Sequence, residues 1–188
     1  DSGALGRALG TGRGKPSLKT HAALHEVTCA VVAVASGDGI AELFGNLGVH
    51  GVVTGGQTLN PSTQELLDAV EHMNAQQVVI LPNNKNIIPV AKQVDGLTKK
   101  EVRVVPTCSM PEALAALVAY DPEASAEHNG SAMAKAAAAV VTGEVTTAVR
   151  DTKTDAGDVK AGDSIGLVRG DGVVAIAPTT FECATALL

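Results

Sequence analysis

Four short stretches gather polar residues and glycines in an otherwise apolar chain: SGDG (36–39), TGGQTLNPST (54–63), PNNKN (82–86) and PTCSM (106–110). Asn60, Asn83, Asn84 and Asn86 carry amides that both donate and accept hydrogen bonds, and Gln57 adds another. Gly55 and Gly56 allow another group to approach the backbone closely. Lys85 is the only cation in these stretches, and Asp38 and Glu42 are the acids nearest the first of them. Taken singly, Asn and Ser here read as helix caps, and the glycines as turn formers. Three asparagines and a lysine within five positions are more than one cap requires. The set is suited to recognition through hydrogen bonds.

Catalytic chemistry has less to work with. Ser36, Ser62, Cys108 and Ser109 fall in or beside these stretches, but none of the stretches holds a histidine to serve as base. His50 precedes an apolar segment and is the histidine that folding could bring near. A free-standing enzyme with Cys108 or Ser109 as nucleophile is therefore one alternative reading. GTGRGKPS is a near miss for a phosphate-binding P-loop, with Leu9 in place of the first glycine and Pro16 after Lys15. Gly37-Asp38-Gly39 opens like a dinucleotide fingerprint, but Glu42 takes the third glycine position and Asp38 would repel a pyrophosphate. For metals there is no Cys-x-x-Cys. His25 and Cys29 lie four apart, but Cys29 opens a buried apolar run. Asp151, Asp155 and Asp158 alternate with Arg150 and Lys153 and read as a solvated loop. Arg169-Gly170-Asp171 reads as a turn.

The elements that must position the four stretches follow from periodicity. CAVVAVA (29–35), GVV (51–53), QVVIL (77–81) and VRVV (102–105) are short apolar runs, suited to strands buried on both faces. Helical spacing follows each: 39–48 with Gly48 as stop, a helix opened by the capping box Ser62 to Glu65, 87–94 with Pro89 in its first turn, and 111–120. Four strand–helix alternations predict an α/β fold with a parallel sheet flanked by helices and right-handed crossovers. Ligands and partners of such sheets gather beyond the carboxyl ends of the strands, where all four polar stretches fall. After Asp121-Pro122 the pattern changes. Residues 123–143 predict one Ala-rich helix weakened by Gly130, 145–154 a strand, and 164–168 with 173–177 an antiparallel hairpin. A final helix follows from PTTFECATALL. The predicted organisation is a connector (1–27), an α/β lobe (28–121) and a smaller α+β lobe (122–188).

Composition excludes several functions. In 188 residues, 45% are hydrophobic and 18% charged, a globular balance. Aromatics at 2% give no stacking platform, and a net charge of −6 disfavours nucleic acid. Four cations against two acids make residues 1–27 net +2, leaving −8 for the rest. No apolar run is long enough to span a bilayer, so no membrane span is expected. Three dispersed cysteines and no signal peptide fit a cytoplasmic protein. A start at DSGALGRALG, without Met, reads as a fragment or a processed product.

In VVTGGQTLNPSTQELLDAV and VVILPNNKNI, together with VVAVASGDGIAELF, VVPTCSMPEALAAL, GEVTTAVRDT and KAGDSIGLV, the chain resembles a known family that carries these motifs in the same order. From about Thr28 onward it is similar to the C-terminal part of the catalytic subunit of bacterial fatty acid kinase. That family is dihydroxyacetone-kinase-like, with a DhaL kinase domain and a DegV-like tail. The resemblance implies a DegV-like fold here. It also implies an N-terminal kinase domain on the same polypeptide that binds ATP and magnesium, and a middle domain through which the parent protein forms homodimers. The partner it implies is a DegV-like fatty-acid-binding protein, whose bound fatty acid is phosphorylated on the carboxylate for phospholipid synthesis.

The kinase ligands have no matching positions in this chain, so no cofactor and no kinase activity are expected of it alone. The Ser/Thr-rich motifs with which DegV-like carriers hold a carboxylate have no counterpart either. The expected function is a non-catalytic docking or regulatory domain, with Asp38, Gly55, Gly56, Gln57, Asn60, Asn83, Asn84, Lys85 and Asn86 as its contact residues. The alternatives are a module that binds a fatty acid or small metabolite, and the enzyme above.

Overall fold

In the strand Cys29–Ala35 every residue is buried, and alternate residues feed two different cores. Cys29, Val31, Ala33 and Ala35 face one way, and Ala30, Val32 and Val34 the other. Period-two alternation does this only where both faces of a sheet are covered. The computed structural model describes residues 17–20, 27–54, 60–169 and 171–187. Their order is β1 (Ser17–Thr20), β2 (Cys29–Ala35), α1 (Asp38–Asn46), β3 (Gly51–Thr54), α2 (Thr63–His72), β4 (Gln77–Leu81), α3 (Ile88–Val94), β5 (Glu101–Val104), α4 (Met110–Val118) and α5 (Ala126–Ala138). The remaining elements are β6 (Gly143–Thr147), β7 (Thr152–Thr154), β8 (Gly157–Val159), β9 (Ser164–Val168), β10 (Gly172–Ala177) and α6 (Thr180–Ala186). The chain divides into two units, at Ala137/Ala138.

The first unit is a five-stranded sheet in the order β1-β3-β2-β4-β5. The predicted four strands are parallel, and β1 adds antiparallel to β3, pairing Leu18 with Val53. Helices α1, α4 and α5 cover one face through Ala41, Phe44, Ala113, Ala116 and Met133. Helices α2 and α3 cover the other through Leu66, Ala69, Val70, Ala91 and Val94. The step from β2 to β3 crosses one face, and the two steps in the opposite direction cross the other, so all three crossovers share one hand. From β2 the chain moves outward to β3 and then returns past β2 to β4. The connections leaving β2 and β4 therefore diverge, which opens a crevice at their carboxyl ends.

Two boundaries differ from the sequence reading. The stretch read as a connector contributes strand β1, held by backbone pairing to β3 and by Leu18 packed against one core, which composition does not report. Helix α5, read as the start of the second lobe, packs Ala126 and Met133 into the first core and belongs there. Gly130 does not break it. A Cβ at that position would lie 3.2 Å from the Cβ of Arg103, so glycine lets α5 approach the β5 edge.

The second unit is a three-stranded antiparallel sheet, β10-β9-β6, with the small ribbon β7-β8. The predicted hairpin is β9 and β10. The single strand expected over 145–154 is two, because Ala148 leaves the β6 ladder to bond Asp163 and Gly162. Leu187, just after α6, lies over Gly166, where a Cβ would come within 2.9 Å of its Cδ2.

Candidate functional site: the crevice between the central strands

A cavity of about 120 Å³ opens at the carboxyl ends of β2 and β4. Its walls are Val34 from β2, Ile40 from α1, Ile87 before α3, and Met110 at the start of α4. Ser36, Asn83 and Asn84 supply its polar atoms. Sites for whole small molecules run to several hundred Å³, roughly 300 to 1,000. This space is smaller, on the scale of a side chain or a similarly small group.

Asn83 holds the crevice together. Its backbone is left-handed, with φ 56°, among the described residues the one non-glycine case. Asparagine tolerates this conformation better than most residues. The turn aims its side chain inward. The Asn83 amide donates to the Val34 carbonyl at 2.9 Å, its Oδ1 accepts from the Thr107 hydroxyl at 2.7 Å, and its backbone N–H donates to Thr107 Oγ1 at 3.2 Å. One residue thus ties the ends of β2 and β4 to the segment after β5. Thr107 is fully buried.

Past Asn84, which still lines the cavity, the segment turns outward. Asn84 Oδ1 accepts the Asn86 N–H at 2.9 Å, and its carbonyl accepts the Ile87 N–H at 3.0 Å, which closes a tight turn. Lys85 and Asn86 stand exposed on that turn, and no ion pair engages Lys85 among the described residues. Asp38 is the exposed first residue of α1. Asn60 is exposed ahead of the Ser62–Glu65 capping box, which forms as the spacing predicts. Gly55, Gly56 and Gln57 lie outside the described residues. The structure therefore brings Asn83, Asn84, Lys85 and Asn86 into one turn. Neither Asp38 nor Asn60 lines the cavity.

Among the described residues, the nucleophile reading finds no histidine base. Ser109 caps α4, its hydroxyl accepting the Glu112 N–H at 3.4 Å. The buried Glu112 carboxylate accepts the Cys108 N–H at 2.7 Å. His50 precedes β3, at the amino end of the parallel strands, opposite the end that carries Cys108 and Ser109. Burial pulls its imidazole below the ordinary histidine range. Cys29 is fully buried, and burial pushes its thiol up to about 11, unlike a metal-ligating thiolate. No cluster of three His, Cys, Asp or Glu residues suited to a metal occurs among the described residues.

Sequence reasoning passed over Thr107 and Met110. The signal for Thr107 was a hydroxyl directly after the apolar run VRVVP, where a buried polar group needs a partner. Met110 had no signal, since a methionine opening a helix reads as packing.

The model of the FakA-like C-terminal family, which describes the C-terminal region of proteins like the A-type subunit of fatty acid kinase, matches residues 30–188. Protein YloV of Bacillus subtilis is 45% identical over 140 residues, 74% of this chain and 25% of that protein. An uncharacterized protein of Staphylococcus haemolyticus is 44% identical over 141 residues, 75% of this chain and 26% of that one. An uncharacterized protein of Staphylococcus aureus is 36% identical over 174 residues, 93% of this chain and 30% of its own length. The chain spans 25 to 30% of the length of these curated relatives.

Proposed function

The chain belongs to the FakA-like C-terminal family of fatty acid kinase, and from that premise we propose that it is a non-catalytic docking domain of such a kinase. Its partner in this reading is a DegV-like protein carrying the fatty acid, and its own fold is DegV-like. The kinase domain, with ATP and magnesium, lies elsewhere on the parent polypeptide, a cytoplasmic protein that dimerises through its other domains.

The observation that carries the reading is the small crevice between β2 and β4 with the exposed Lys85-Asn86 turn at its lip. Its position is where open parallel sheets meet their partners. Its size suits one protruding side chain of a protein surface better than a lipid, which weighs against the fatty-acid-binding alternative. Among the described residues no histidine base stands beside Cys108 and Ser109, which weighs against the free-standing enzyme.

The mechanism is placement. Holding the carrier with its fatty acid carboxylate toward the kinase site turns a bimolecular encounter into an intramolecular one. The test is competition. The isolated chain, added to the full-length kinase and the loaded carrier, should slow acyl phosphate formation, and more carrier should relieve the inhibition. Undiminished product at a large excess of the chain would refute the reading.

A further inference from the structure

We propose that Asn83 is the positioning residue of this site: its side chain sets the path of the Asn84–Asn86 turn, and through it the presentation of Lys85. This rests on the docking reading. Three observations carry it. Asn83 adopts the left-handed conformation at the point where the chain leaves β4. Its side chain uses both amide functions on two other segments, Val34 at the end of β2 and the buried Thr107 after β5. The next three residues are then held chiefly by local bonds to Asn84. Outcrop and anchor are therefore adjacent: the residues that face solvent hang from one residue that faces inward.

Glycine would keep the backbone geometry, since it enters the left-handed region freely, while removing every side-chain bond. An aspartate would keep the acceptor for Thr107 and lose the donor to Val34. A plain core residue and a positioning residue therefore predict different patterns of response.

The experiment is amide hydrogen exchange on the chain and on Asn83→Gly, followed by titration with a DegV-like carrier loaded with a saturated long-chain fatty acid. The expected result is exchange at least tenfold faster at the Asn86 and Ile87 amides, with the Val79 and Ile80 amides of β4 unchanged, and carrier affinity at least tenfold weaker. Thr107→Val, which leaves the Asn83 conformation and its bond to Val34 in place, should give a smaller change of the same local kind, and it serves as the variant if Asn83→Gly does not fold. Unchanged exchange at 84–87, or equal acceleration across the whole sheet, would overturn the proposal. If the unsubstituted chain does not bind the carrier, the docking reading fails, and the exchange pattern still decides whether Asn83 sets the turn.

Discussion

His50 Nδ1 accepts the backbone N–H of Val31 at 3.1 Å, while the His50 N–H donates to the Val31 carbonyl at 3.0 Å. The parallel ladder between β2 and β3 begins one residue later, at Val32 and Gly51. The imidazole therefore extends the ladder with a side-chain acceptor, edge-on to the Tyr120 ring at 6.1 Å. Tyr120 in turn donates its hydroxyl to the Cys29 carbonyl, and burial raises its pKa. The histidine that a catalytic reading would recruit is engaged in holding two strands together.

A pH dependence follows from that bond. Only neutral imidazole can accept, and burial lowers the His50 pKa from the ordinary 6.5. In the unfolded chain His50 takes up a proton near 6.5, and in the folded chain only at lower pH. Its contribution is thus complete above about pH 6.5 and declines as pH falls toward the folded value. His50→Asn, with an oxygen near the Nδ1 position, should remove this part of the decline in denaturant titrations between pH 7 and 5. An equally steep decline in the variant would assign it to other groups.

Lys100 closes the end of α2. Its ammonium donates to the carbonyls of Val70 at 2.9 Å, Glu71 at 3.2 Å and Met73 at 2.6 Å, acceptors that a helix end leaves open. Burial lowers its pKa, and Glu71 opposes that shift. Lys100→Met should cost about 1 to 2 kcal/mol, because charge-assisted bonds are lost at carbonyls that water reaches in part. For a chain of this size that is a fall in Tm of roughly 2 to 8 °C, measurable by calorimetry.

Ser109 separates capping from catalysis. Ser109→Ala should cost about 1 kcal/mol as a lost N-cap. It should leave carrier affinity and acyl phosphate formation by the full-length kinase unchanged. Lost product at intact stability would restore the nucleophile reading.

Lys85 tests the rim. It is exposed and outside the core, so Lys85→Glu should move Tm by no more than about 1 °C, as surface changes do. Carrier affinity should fall several-fold or more, and the loss should shrink at high salt. A variant that melts early would assign the turn to structure.

Much of the first unit was legible. Unbroken apolar runs such as CAVVAVA require burial on both faces, and Ser62 to Glu65 announces its cap by spacing alone. Strand β1 was hidden because backbone pairing on a sheet edge leaves little trace in Gly- and Lys-rich sequence. The membership of α5 was hidden because alanines at helical spacing do not say which core they enter. At the site, the run of asparagines marked a turn but not the direction of each side chain. Asn83 and Lys85 look alike as loop residues, yet one anchors three segments and the other meets solvent. That distinction arises from a single positive φ.

The most direct measurement is calorimetric titration of the chain with the loaded DegV-like carrier. The docking account predicts saturable one-to-one binding at micromolar affinity or tighter, weakened by Lys85→Glu. No heat and no complex, with both proteins folded and the carrier loaded, would contradict it.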